Sequence, residues 1–228
     1  MKVLAVIPAR GGSKRLPHKN IINFLGKPII AHTIEAAARA DVFEKIIVSS
    51  EDQRILEIAG RYPVELHPRP SELATDSARV TEVCEDVIRT EAEKGNHYDI
   101  LCCLYATAPL RNAEDIKKTV ELVSQGNCDC AMAMTAYYYP PHQALVINPS
   151  GLLEPAWPKM VNKQSQDVPQ MFIDNGSTYV VSMSEFRKSQ SFRGSRIMGH
   201  FMPRHRSVDI DTQEDFELAL LYASGGKQ

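Results

Sequence analysis

Short apolar runs alternate with segments of helical period along the first 136 residues, and no other feature of this 228-residue chain constrains its fold as strongly. Residues 3–7, Val-Leu-Ala-Val-Ile, form an unbroken apolar run of strand length, the pattern of a strand buried on both faces of a parallel sheet. Comparable runs recur at 45–49, 64–66, 100–105 and 130–135. Between them the spacing predicts helices. One is opened by Pro28 and carries Ile30, Ile34, Ala37 and Ala38. A second covers 52–61, a third has Val80, Val83, Cys84, Val87 and Ile88 on one face, and a fourth covers 113–123. Strands separated by helices pair in parallel through right-handed crossovers. The expected class is therefore α/β, a Rossmann-like, mainly parallel sheet with helices on both faces. A single domain spanning 1–228 accounts for the length.

The alternation stops after residue 136. Residues 137–171 contain three tyrosines, six of the fourteen prolines and the only tryptophan, with a hairpin pattern across 145–153. This stretch reads as an inserted β-rich lobe. Strand character returns at 178–181 and 207–210, a closing helix is expected over 213–222, and the tail 224–228 reads as frayed.

Charge removes several function classes. With 26 Lys+Arg against 28 Asp+Glu the formal net charge is −2, which argues against long nucleic acid or an anionic membrane as the main partner. No apolar run approaches the ~18 residues a bilayer span needs, and the amino-terminal run is too short for a secretory signal. The five cysteines are odd in number, and Cys128-Asp129-Cys130 lacks the gap of a zinc knuckle; they read as small buried apolar residues. The expectation is a soluble, cytoplasmic protein in which any polyanion site is local.

Such a site is visible at the amino terminus. The first 34 residues hold six basic side chains (Lys2, Arg10, Lys14, Arg15, Lys19, Lys27) and no acid. Half of them fall in Ala9-Arg10-Gly11-Gly12-Ser13-Lys14 and Lys19-Asn20, just past the first strand, where open α/β sheets bind ligands. Gly11 and Gly12 allow close backbone approach with amides turned toward an anion, and Arg10, Lys14 and Lys19 can bind several phosphates. The loop matches neither the Walker pattern nor the dinucleotide fingerprint. A merely solvated linker loop is the plainer alternative.

A second element lies near the other end. In an extended segment Asp209 and Asp211 would point to one side, ~7 Å apart, suited to a hard cation such as Mg²⁺ bound together with phosphate oxygens. Asp211 or Thr212 could equally cap the following helix. Arg69, before Pro70, suits either a base carbonyl or an ion pair with Glu72. The loop from Tyr105 through Thr107 to Arg111 suits a second substrate, and Asp174-Asn175-Gly176 could be a simple turn.

Taken together, residues 7–20, Arg-Pro-x-Glu-Leu-Ala at 69–74 and Asp-Ile-Asp-Thr at 209–212 resemble the acylneuraminate cytidylyltransferase family, the enzymes that make CMP-sialic acids. Within it, residues 102–109 and 162–167 are most similar to the pseudaminic acid branch, with legionaminic and N-acetylneuraminic acids left open. The resemblance implies a nucleotide-diphospho-sugar-transferase fold and a homodimer joined through the 137–171 lobe. It also implies CTP and a nine-carbon sugar acid as substrates, with Mg²⁺ as cofactor. Arg10, Ser13 and Lys19 would hold the phosphates, Asn20 and Arg69 the cytidine, Asp209 and Asp211 the metal, and Asn175 and the Tyr105 loop the sugar. Arg10, Lys19 and Asp211 would then serve catalysis, with either a metal-bound carboxylate or a hydroxide near Asp211 taking the hydroxyl proton. Two other readings stand beside this one: a metal-dependent glycosyltransferase, whose Asp-x-Asp pattern is also met, and a non-catalytic nucleotide-binding protein of the same fold.

Overall fold

The computed structural model describes residues 1–225. In chain order the elements are β1 (Val3–Pro8), a hairpin of β2 (Asn23–Phe24) and β3 (Lys27–Pro28), α1 (Ile29–Ala40), β4 (Lys45–Ser50), α2 (Gln53–Ala59) and β5 (Glu65–Pro68). Then follow α3 (Val80–Glu93), β6 (Ile100–Leu104), α4 (Ala113–Ser124), β7 (Cys130–Ala136), and a hairpin of β8 (Leu145–Ile147) and β9 (Leu153–Pro155). The chain closes with β10 (Phe172–Ser182), α5 (Met183–Ser189), β11 (Ile197–Phe201) and α6 (Gln213–Gly225). Seven strands form one sheet in the order β11-β7-β10-β6-β1-β4-β5. All neighbours are parallel except β10, which runs antiparallel to both β6 and β7.

The period of two along the central strands builds two cores. Val3, Ala5 and Ile7 point to one face, where they meet Ile30 and Ile34 of α1, Ile55 of α2 and Ile116 and Val120 of α4. Leu4 and Val6 point to the other, toward Cys84 and Val87 of α3 and Met183 and Phe186 of α5. Helices therefore cover both faces. A third, smaller cluster decides where the two ends of the chain meet. Leu16, Phe24 and Ile29 bury against Val208, Ile210 and Ala219.

The structure corrects the sequence expectations at several points. Residues 207–210 are not a sheet strand; they follow a 3-10 turn at Arg204–Arg206 and touch the main sheet's loops through the Ile210 amide, which donates to the Thr107 carbonyl at 2.9 Å. The strand on that side is β11, an exposed edge whose Gly199 and His200 hide it in an apolar scan. The α5 helix was also not expected. β10 begins at Phe172 and not at 178, because its pairing with β7 shifts register between Asp174 and Tyr179, where Gly176 takes φ +68°. The 174–176 segment is thus a bulge within a strand and not a connecting turn. The closing helix reaches Gly225, and the rest of the expected frayed tail, 226–228, lies outside the described residues.

Residues 137–171 contain the β8–β9 hairpin among turns, with Tyr138, Tyr139, Ile147, Leu152, Leu153 and Trp157 exposed. All five cysteines are buried and unpaired, and burial pushes the Cys102 and Cys103 thiols far up. Among the described residues no helix is long and apolar enough to cross a membrane.

Candidate active site

A cleft of about 520 Å³ opens at the carboxyl ends of β1, β5 and β6. It is lined from the basic loop by Arg10, Ser13, Lys14, Lys19 and Asn20, from the strand ends by Arg69, Tyr105 and Thr107, and from the carboxy-terminal segment by Asp211. Residues from both ends of the chain thus share one wall.

The basic loop is held from beneath by two acids. Ala9, buried, continues the β1–β4 ladder by donating its amide to the Ser49 carbonyl at 3.0 Å. The Gly11 amide then donates to Glu51 Oε1 at 2.7 Å. A Cβ on Gly11 would stand 2.4 Å from Asp52 Oδ2, so the close approach here is to Asp52 and not to a ligand. The expected presentation of the Gly11 amide to an anion is therefore corrected: that amide is already spent. Gly12 faces open space. Asn20 is buried and donates its side-chain amide to the Arg10 carbonyl at 2.8 Å, closing the loop on itself.

Burial of Leu16 and Ile210 in one cluster brings the loop against the acid pair. Lys19 Nζ lies 2.5 Å from Asp211 Oδ1, and Arg15 lies 2.6 Å from Oδ2. Although partial burial opposes ionisation of Asp211, these two cations hold its carboxyl below the ordinary range. Asp209 behaves in the opposite way. Burial raises it, the hydrogen bond from Thr107 Oγ1 at 2.5 Å opposes the rise, and the Asp211 charge adds to it. Both Asp211 oxygens are thus taken by cations, which leaves it the poorer proton acceptor of the pair. Nor does its side chain cap α6: Thr212 Oγ1 accepts from the Asp215 amide, and Asp215 Oδ2 accepts from the Asp211 and Thr212 amides.

Among the described residues no group of three or more His, Cys, Asp or Glu side chains is arranged to hold an ion. Two neighbouring carboxylates, one of them raised chiefly by burial and further by the charge of the other, suit a hard divalent ion whose remaining ligands are water and substrate oxygens.

Two expected site residues are placed differently. Arg69 is buried and pairs with Glu51 at 2.6 Å, not with Glu72, and its Nε–H has no protein partner. Asn175 is buried away from the cleft lining; its amide donates to Ser207 Oγ at 3.1 Å and its oxygen accepts from Ser177, so it ties the β10 bulge to the 202–207 segment. Tyr105 lines the cleft with its ring 5.2 Å from that of Tyr179. Two acids were missed by the sequence reading. Glu51 organises Gly11 and Arg69 together, and Asp76 pairs with Arg10 at 2.8 Å and Lys14 at 2.5 Å. Glu51 stands directly at the end of β4, a position that could have marked it.

Comparison with known proteins bears on the family and the fold. A pseudaminic acid cytidylyltransferase of Campylobacter jejuni (strain 81-176) is 36% identical over 97% of both chains. A CMP-N,N'-diacetyllegionaminic acid synthase of Legionella pneumophila is 30% identical, covering 96% of this chain and 94% of that one. Among solved structures, CMP:2-keto-3-deoxy-manno-octonic acid synthetase complexed with CTP superposes with a TM-score of 0.74 at 16% identity, over 99% of this chain and 100% of that one. The cytidylyltransferase family model matches residues 4–166, the stretch that carries β1, the basic loop and the strand ends of the cleft. The chain therefore belongs to the cytidylyltransferase family.

Proposed function

We propose that this enzyme transfers CMP from CTP to the anomeric hydroxyl of a nonulosonic acid, pseudaminic acid first among them, and releases pyrophosphate. The observation that carries the reading is the contact of Lys19 with Asp211, 2.5 Å, which joins the cations of the basic loop to the carboxy-terminal acid segment in one cleft. Arg10, Ser13, Lys14 and Lys19 bind the triphosphate and balance the charge that accumulates on its oxygens as the bond to the α-phosphorus is exchanged. A pyrimidine carbonyl would satisfy the buried Nε–H of Arg69. Asp209 and Asp211 would hold Mg²⁺, which supplies positive charge to the phosphoryl oxygens when bound. Tyr105 and Thr107 face the remaining space of the cleft and suit the acceptor sugar. Full-length likeness to a pseudaminic acid enzyme supports that acceptor. The exposed apolar side chains of the 137–171 lobe support a homodimer joined there, and dependence on CTP fits a cytoplasmic location.

The test is a pyrophosphate-release assay with CTP, Mg²⁺ and, separately, pseudaminic, legionaminic and N-acetylneuraminic acids, with the CMP-sugar identified by mass. Turnover is expected to be fastest with pseudaminic acid. Absence of pyrophosphate with all three acids would reject the reaction, and preference for another acid would reassign the acceptor.

A further inference from the structure

Each pair of cations along the cleft already carries a carboxylate, but the two carboxylates are mounted differently. Asp211 follows Ile210, which is sealed in the Leu16–Phe24 cluster, and its partner Lys19 is only 14% exposed. Asp76 lies on the segment between the 3-10 turn Ser71–Ala74 and α3, where no residue from 71 to 79 is buried. Its carboxylate bridges Arg10 Nη1 at 2.8 Å and Lys14 Nζ at 2.5 Å, and the Lys14 side chain is 81% exposed. All three side chains line the cleft. An ion pair this exposed contributes little to folding, and a segment with no buried side chain can lift without opening a core. What the bridge does achieve is to occupy, with one negative charge, the place between two cations that a more highly charged anion would take.

We propose that Asp76 is a displaceable stand-in for the pyrophosphate portion of the nucleotide. It neutralises Arg10 and Lys14 while the cleft is empty, yields to the β- and γ-phosphates when CTP arrives, and competes with pyrophosphate for the same two cations after transfer, hastening its departure. This inference rests on the nucleotide reading above. Asp76 thereby sets the affinity for polyphosphates separately from that for the nucleoside and α-phosphate, which engage the deeper end of the cleft.

The test compares wild type, Asp76→Asn and Asp76→Glu by calorimetry with inorganic tripolyphosphate, pyrophosphate and CMP, at low and raised salt. Asp76→Asn should bind tripolyphosphate and pyrophosphate about fivefold tighter at low salt, and the gain should shrink at raised salt. CMP affinity should not change, Asp76→Glu should stay near wild type, and pyrophosphate should inhibit the Asn variant more strongly in the transfer assay. Unchanged or weaker polyphosphate binding by Asp76→Asn would overturn the proposal, because Asp76 would then orient the cations and not compete for them. Tightening of CMP by the same factor would also overturn it, as a general effect of charge on the whole cleft. A wild type that binds the inorganic polyphosphates yet releases no pyrophosphate from CTP would count against the transfer reaction alone, since the comparison of variants needs no turnover.

Discussion

Arg10 and Arg111 carry the same guanidinium group under opposite conditions. The Arg111 side chain, in a residue 3% exposed, donates to the Ser177 carbonyl, to the Tyr105 carbonyl at 3.4 Å and to Thr33 Oγ1 at 2.9 Å, with no carboxylate within ion-pair distance among the described residues. Burial draws it down to about 10, which still leaves it charged at neutral pH. The Arg10 side chain is 40% exposed and meets an exposed carboxylate directly, at 2.8 Å. A buried cation satisfied by carbonyls has no cheap alternative partner, so it fixes the Tyr105 loop against β10 and α1. A cation satisfied by an exposed carboxylate can exchange that partner for a ligand. Architecture is built from the first kind of contact and binding from the second.

The contrast is open to direct attack, beginning where the effect should be greatest. Arg111→Met strips donors from the Ser177 and Tyr105 carbonyls and should cost about 3 kcal/mol in urea unfolding, whereas Arg10→Met should cost less than about 1 kcal/mol. Similar losses for the two variants would break the comparison. Lys19→Ala lies between the extremes, half-buried yet at the cleft; turnover should fall about 100-fold while the melting temperature changes little. A matching loss of stability would move Lys19 to the architectural side. Gly11→Ala should cost about 1–2 kcal/mol through the clash with Asp52, and Asp52→Ala in the same chain should recover part of it, a non-additivity read from a double-mutant cycle.

The smallest expected effect concerns a buried pair at the opposite ends of the strands. Glu91 is buried and accepts from Lys45, Lys94 and Asn96; burial alone would raise its carboxyl, but these donors hold it down at about 2. A carboxylate depressed in the folded state stabilises above its unfolded value of about 4.5 and loses that contribution as pH falls toward about 2. Thermal melts between those limits should drop more steeply for wild type than for Glu91→Gln, and parallel curves would exclude the pair as a source of acid sensitivity.

How much of this could be read from the chain depends on how far apart the partners lie. The strands and helices of the first 136 residues follow local periodicity, and the basic loop is legible because its cations are contiguous and unaccompanied by acids. Asp209 and Asp211 could be named as a pair because they stand two residues apart in one motif, and Lys19 because the amino-terminal motif holds it, but the contact between Lys19 and Asp211 joins two motifs far apart in sequence and was not legible. Arg111 was visible only as the end of a loop, since its acceptors Ser177 and Thr33 lie far off in sequence and nothing local marks it as buried. The same holds for Glu51 and Asp76, whose partners are settled by which strand ends stand side by side. Asn175 was assigned to the sugar on a motif alone. Its spacing to Ser177 was available, but the register shift that turns it inward is a property of pairing with β7. The reversed direction of β10 and the exposed β11 edge also depend on non-local pairing.

That reversed strand has a consequence for how the polypeptide is made. β10 alone joins the block β5-β4-β1-β6 to the block β7-β11, so both β6 and β7 show bare hydrogen-bonding edges until Phe172–Ser182 has been synthesised and inserted. A nascent chain paused anywhere in the preceding hairpin region would present two unpaired strands to its neighbours on adjacent ribosomes. Fragments ending before residue 172 should accordingly collect in inclusion bodies, while those extending past residue 201, where β11 covers the other edge of β7, should do so far less.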